Sequence, residues 1–96
     1  MNNTTRTATK PFANLNAALD ALDVRDLCGH IDLIAADAET AEVTQLEAAA
    51  DALRCADTVE TMDDFKVNLQ EAVGELSSIP DAARVSAKIT RLLARC

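Results

Sequence analysis

Carboxylates are the residues of this chain best placed to do chemistry, and they are bunched. Between Asp23 and Glu75 there are fourteen of them against three bases, Arg25, Arg54 and Lys66, a local net charge of −11. Asp57, Glu60, Asp63 and Asp64 crowd one stretch. Glu71 and Glu75 follow at i, i+4, as do Glu47 and Asp51 earlier, after Glu39 and Glu42. Like charges at that spacing destabilise a helix by about 0.2–0.5 kcal/mol a pair, so their accumulation works against folding and hints at a use elsewhere. Rows of carboxylates can imitate a phosphate backbone and fill a Lys/Arg groove that normally takes DNA or RNA. Field complementarity would then speed association and make it salt-sensitive. The plainer reading of the same residues is a solubilising surface, with Asp63 and Asp64 favoured by the macrodipole in a first helical turn.

The sign reverses at the C-terminal end. Arg84, Lys88, Arg91 and Arg95 stand against Asp81, a net of +3, in a chain whose total is −7. Their spacing, i, i+4, i+7, i+11, puts them on one helical face about 120° from Val85, Ile89 and Leu92. A recognition helix for nucleic acid shows such spacing, but no aromatic residues interleave to stack on bases. The overall charge also repels nucleic acid and anionic membranes. The stripe therefore reads as a solvated face, or as a partner for the chain's own acidic helices.

Histidine and cysteine offer less. Cys28, Cys55 and Cys96 are odd in number and far apart, matching neither a metal pair nor a disulfide framework. Reduced thiols are expected, with Cys28 as a small buried hydrophobe. Cys28 and His30 cannot act as a nucleophile–base pair on a helix, because residues i and i+2 point about 200° apart. A di-iron bundle needs Glu-x-x-His pairs, and His30 is the one histidine. No catalytic residue, metal site or cofactor is expected, and the protein reads as a non-enzyme.

The elements that must position these groups are helices. Nineteen alanines favour helix and close helix packing, while two glycines, two prolines and the lack of Tyr and Trp leave little for a β-fold. The expected fold is all-α: a compact antiparallel bundle of four to five short helices over residues 9–96, after a flexible polar tail at 1–8. Thr9-Lys10-Pro11 reads as the start of the first helix, with Pro in its first turn, and Phe12, Leu15, Leu19 and Leu22 form its stripe. The stripe of Val24, Leu27, Ile31, Ile34 and Ala38 is rotated by about 140° from the first, so a break falls at Asp23, with Asp23 and Asp26 as a capping pair. Gly29 weakens this second helix and marks a close approach or an irregular turn. Thr40 caps a third helix with Val43, Leu46, Ala49, Ala50, Leu53 and Ala56 inside. Thr61 with Asp64 resembles a capping box before Phe65, Leu69, Ala72, Val73 and Leu76. Ser78 caps the last helix, with Pro80 and Asp81 in its first turn, and Ala82, Val85, Ile89, Leu92, Leu93 and Cys96 face inward. Leu33, Val59, Val67 and Ile79 fall off these stripes; each either meets a third helix or adds to an apolar patch. The first ten residues hold no apolar signal segment, and no apolar run approaches the roughly 20 residues of a membrane span, so a cytoplasmic protein is expected.

In size, charge and helical content the chain resembles the anti-CRISPR proteins of phages and plasmids, which are small, lack enzyme motifs and are frequently acidic. The resemblance implies an inhibitor in the host bacterial cytoplasm that occupies a nucleic-acid or subunit site on a CRISPR effector complex. The partner is then a protein with a basic surface rather than nucleic acid or membrane, and the inhibitor itself a monomer or weak dimer. The residues expected to carry that contact are Asp57, Glu60, Asp63, Asp64, Glu71 and Glu75, as phosphate surrogates toward Lys and Arg. Two other readings stand beside it. One is a helical adaptor, chaperone or self-associating protein working through Leu33 and Val67. The other is a histidine phosphotransfer bundle built on His30, although the Lys and Gly of that family's His-x-x-Lys-Gly are replaced by Leu33 and Ile34, after Ile31 and Asp32. An acyl carrier protein is similar in charge but requires an Asp-Ser-Leu site, and Ser77, Ser78 and Ser86 do not lie in that context.

Overall fold

The break at Asp23 is real. The Asp23 carboxylate accepts from the Asp26 amide at 3.0 Å, satisfying one of the orphan donors of a helix start. It separates α1 (Leu15–Ala21) from α2 (Val24–Ala36) in a computed structural model that describes residues 10–96. The tail expected over 1–8, and Thr9, lie outside the described residues. Then come α3 (Thr40–Ala56), α4 (Met62–Leu76), a 3-10 turn at Pro80–Ala82 and α5 (Ala83–Ala94). Among the described residues these five α-helices and the single turn are the regular structure, so the all-α bundle is the fold.

Three starts differ from the sequence reading. Lys10–Ala13 is not helical, and α1 begins only after Asn14, whose side chain accepts from the Ala17 amide at 2.9 Å. Tertiary contact overrides the signal of Pro11: the Phe12 amide donates to the Arg95 carbonyl at 2.8 Å, and Arg95 Nε donates to the Lys10 carbonyl at 2.9 Å. Thr40 is not a cap. Glu39 holds that position, its carbonyl accepting from Val43, while Thr40 is already helical and its carbonyl accepts the Thr44 hydroxyl. Ser78 is not a cap either. Ile79 takes the position before the turn, with Pro80 at its start, and the Ser78 hydroxyl bonds Gln45 Oε1 across to α3 at 3.2 Å. Thr61 caps α4 as read, accepting from the Asp64 amide at 3.1 Å.

The core is built from the apolar stripes. Phe65, Leu46, Leu53, Leu69, Ile31, Leu76 and Ile89 are fully buried, with Ala18, Ala49, Ala56, Ala72 and Ala82 between them. Ala49 and Ala56 on α3 and Ala72 on α4 let these two helices approach closely, and they are the most extensively packed pair. Packing runs α2 on α3, α3 on α4 and α4 on α5, with a sparser contact from α5 back to α2. α2 and α4 therefore stand diagonally across the bundle, separated by α3 and α5. Among the described residues no polar or charged residue is buried. No described helix is long and apolar enough to cross a membrane. Gly29 fills no tight space: a Cβ added there meets nothing within 4 Å, and its helix is regular.

Candidate functional site

α4 is held down by one face and offers the opposite side to solvent. Phe65, Leu69, Ala72 and Leu76 are its buried residues. Asp64, Glu71 and Glu75 recur at i, i+7, i+11, within about 40° of one another and about 110° from that buried face. Asp63 lies next to them in the first turn, Glu60 in the connection before it, and Asp57 closes α3 at the same end. Five of the six expected carboxylates are exposed and Glu75 is half-buried. The ion pairs among the described residues are Arg54–Asp51 and Lys88–Asp26, and none of the six takes part in them.

The density of this charge can be compared with that of nucleic acid. Asp63 to Glu75 spans about 18 Å of helix axis. Four carboxylates over that length stand about 6 Å apart on average, with Lys66 among them, against about 3.4 Å along one strand of a DNA duplex.

The basic stripe on α5 is divided. Lys88 Nζ reaches Asp26 Oδ2 of α2 at 3.3 Å. Arg95 holds the Lys10–Phe12 segment through its Nε–H and through its guanidinium, 4.2 Å from the centre of the Phe12 ring. Arg84 and Arg91 are exposed and in neither ion pair. Half of the stripe thus serves the fold and half faces solvent.

The off-stripe apolar residues divide as well. Ile79 is buried and Val59 packs on the core, whereas Leu33 is 72% exposed and Val67 50% exposed. Leu33 lies in a groove of about 500 Å³ between α2 and the start of α5, lined also by His30, Ile34, Pro80, Arg84 and Val85. Val67 projects from α4, one turn from Asp63, Asp64 and Glu71. Being off the stripe was the only sequence signal for these two, and buried Ile79 carries the same signal. His30, the candidate of the phosphotransfer reading, is half-buried at the edge of the Leu33 groove.

The Cys28 thiol is buried under α3, 3.9 Å from the Ala50 carbonyl. Burial pushes its pKa up, with nearby Arg54 opposing and Asp32 and Asp51 adding to the rise. That is an inert thiol. Among the described residues no cluster of His, Cys, Asp and Glu is arranged to hold a metal ion.

Compared with family models, curated proteins and solved structures, the chain shows no match.

Proposed function

We propose that this protein is a non-enzymatic inhibitor that docks its α4 face into a basic groove of a nucleic-acid-handling complex, in the manner of an anti-CRISPR protein. One observation supports the reading: Asp64, Glu71 and Glu75 share one side of α4, with Asp63 beside them, and among the described residues no cation pairs with them. A solubilising surface does not require Asp64, Glu71 and Glu75 to share one side of the helix. Asp57 and Glu60 extend the charge past the N-terminal end of α4, whose dipole favours Glu60, while Asp57 sits at the C-cap of α3, where the dipole opposes it.

The test uses the purified protein as bait in lysate from a CRISPR-bearing bacterium, with captured proteins identified by mass spectrometry. An effector subunit is expected in a low-salt wash and is displaced by 0.5 M salt or by a short DNA duplex competing for the same groove. The triple variant Asp64→Asn, Glu71→Gln, Glu75→Gln is expected to lose this capture. It should melt close to the parent, because losing the Glu71–Glu75 like-charge pair offsets losing Asp64 from the first turn of α4. Capture that ignores both salt and the triple substitution overturns the proposal.

A further inference from the structure

α1 is the one α-helix that packs extensively on no other. At seven residues it falls below the roughly 12–15 at which an isolated helix holds in water, so its attachments decide whether it forms. Ala18 and, at its C-cap, Leu22 are the buried anchors, while Phe12, Leu15 and Leu19 are half-buried. Among the described residues, every polar contact from residues 10–22 to another element goes to Arg95. The Phe12 amide donates to its carbonyl, its Nε–H donates to the Lys10 carbonyl, and its guanidinium lies over the Phe12 ring. This clasp is one end of the segment. The other end is Leu22–Asp23, where extended backbone at Leu22 joins α1 to the capped start of α2.

The two ends place α1 across the loosest joint of the bundle. α5 and α2 pack more sparsely than α2 on α3, α3 on α4 or α4 on α5, and one ion pair, Lys88–Asp26, crosses between them. Ala21 borders a cleft of about 270 Å³ at that joint, lined also by Asp26 and Leu27 of α2 and by Lys88, Arg91 and Leu92 of α5. Seven residues of helix rise about 10 Å, the same as α5 rises from Lys88 to Arg95, so α1 runs along the last two turns of α5. We propose that residues 10–22 are a strap over the α2–α5 joint, hinged at Leu22–Asp23 and held by Arg95, which opens as one unit while α2 to α5 stay folded. Local opening costs least where buried apolar contact is least, and the strap gives up only Ala18, Leu22 and three half-buried side chains. The Asp23 cap belongs to α2 and survives the opening, because its bond to Asp26 lies beyond the hinge. With the strap off, water reaches Leu27 and Leu92 beside Ala21, and the Lys88–Asp26 pair is the polar bond left across the joint among the described residues. The strap thereby controls access to one side of the core.

Methyl relaxation dispersion on the full-length protein, which reads exchange on the μs–ms timescale, tests it. Leu15, Leu19 and Leu22 of the strap and Leu27 and Leu92 at the joint are expected to share one exchange rate. Leu46, Leu53 and Leu69 of α3 and α4 are expected to show none. Arg95→Ala removes the guanidinium contact and the Nε–H donor, and is expected to raise the open population about tenfold. Phe12→Leu keeps both backbone bonds of the clasp and is expected to raise it less. Arg84→Ala, an exposed base at the other end of α5, is expected to leave it unchanged. Circular dichroism checks that each variant keeps its helix content. Exchange at the same rate in α3 and α4 overturns the proposal, because the opening is then global. So does a strap without exchange in both the parent and Arg95→Ala, or an Arg95→Ala effect no larger than that of Arg84→Ala. None of these substitutions alters an α4 carboxylate, so capture of an effector subunit is scored separately.

Discussion

Leu69 is fully buried in the middle of α4, and its truncation is the most direct check of the core. Leu69→Ala is expected to cost about 2–5 kcal/mol through lost transfer energy and the cavity left behind. That is a large share of the stability of a chain this size, and it is read as a fall in melting temperature by circular dichroism. Cys28 supplies a pH test. Its folded pKa is raised above its ordinary value of 9.0 by burial, so the fold favours the neutral thiol. This stabilisation is whole below that value and is lost as pH rises through the folded pKa. Urea midpoints are therefore expected to fall more between pH 8 and 9.5 for the parent than for Cys28→Ala. At this scale the sequence was informative where a residue's role follows from its stripe, as for Leu69, Ile31 and Val85. It was uninformative for Leu33, Val67 and Ile79, which share an off-stripe position. Only the arrival of a neighbouring element buries Ile79 and leaves the other two in water.

Helix starts show which local signals can be trusted. Asp23 and Thr61 cap as read because the bond that makes a cap spans only three residues, so the partners are fixed by the chain itself. The Pro11 signal failed because Arg95, far along the sequence, claims the Lys10 carbonyl and the Phe12 amide. Ser78 failed because its hydroxyl turns to Gln45 of α3. Gly29 looked like a structural requirement and is a vacancy: it sits inside regular α2 with open space where a Cβ would go. Gly29→Ala is expected to stabilise the protein by about 0.5–1 kcal/mol, seen as a higher urea midpoint with an unchanged m-value. A lower midpoint would show that a Cβ at residue 29 is not accommodated in α2.

At the scale of the whole molecule, the number of helices and their inner faces were legible because apolar periodicity is a property of the chain. How the two charged regions face one another was not, because it depends on pairs such as Lys88–Asp26 that only the closed bundle brings together. The candidate site inherits that asymmetry: the α4 carboxylates could be read along the chain, but their lack of a cationic partner among the described residues and the Leu33 groove required the packing. The clasp between Arg95 and Lys10–Phe12 makes a further prediction. Arg95→Ala removes the Nε–H donor and the cation over Phe12, and is expected to lower hydrogen-exchange protection at Phe12 and in α1 while leaving α3 amides unchanged. The clasp also decides how the molecule answers a mechanical load. Because residue 10 is fastened beside residue 95, tension applied across the two does not stretch the helices in series. It first loads one guanidinium contact and two hydrogen bonds, with α1 and α5 next in line on either side of them. Under force this domain yields as a zipper does, one fastening at a time from a single corner.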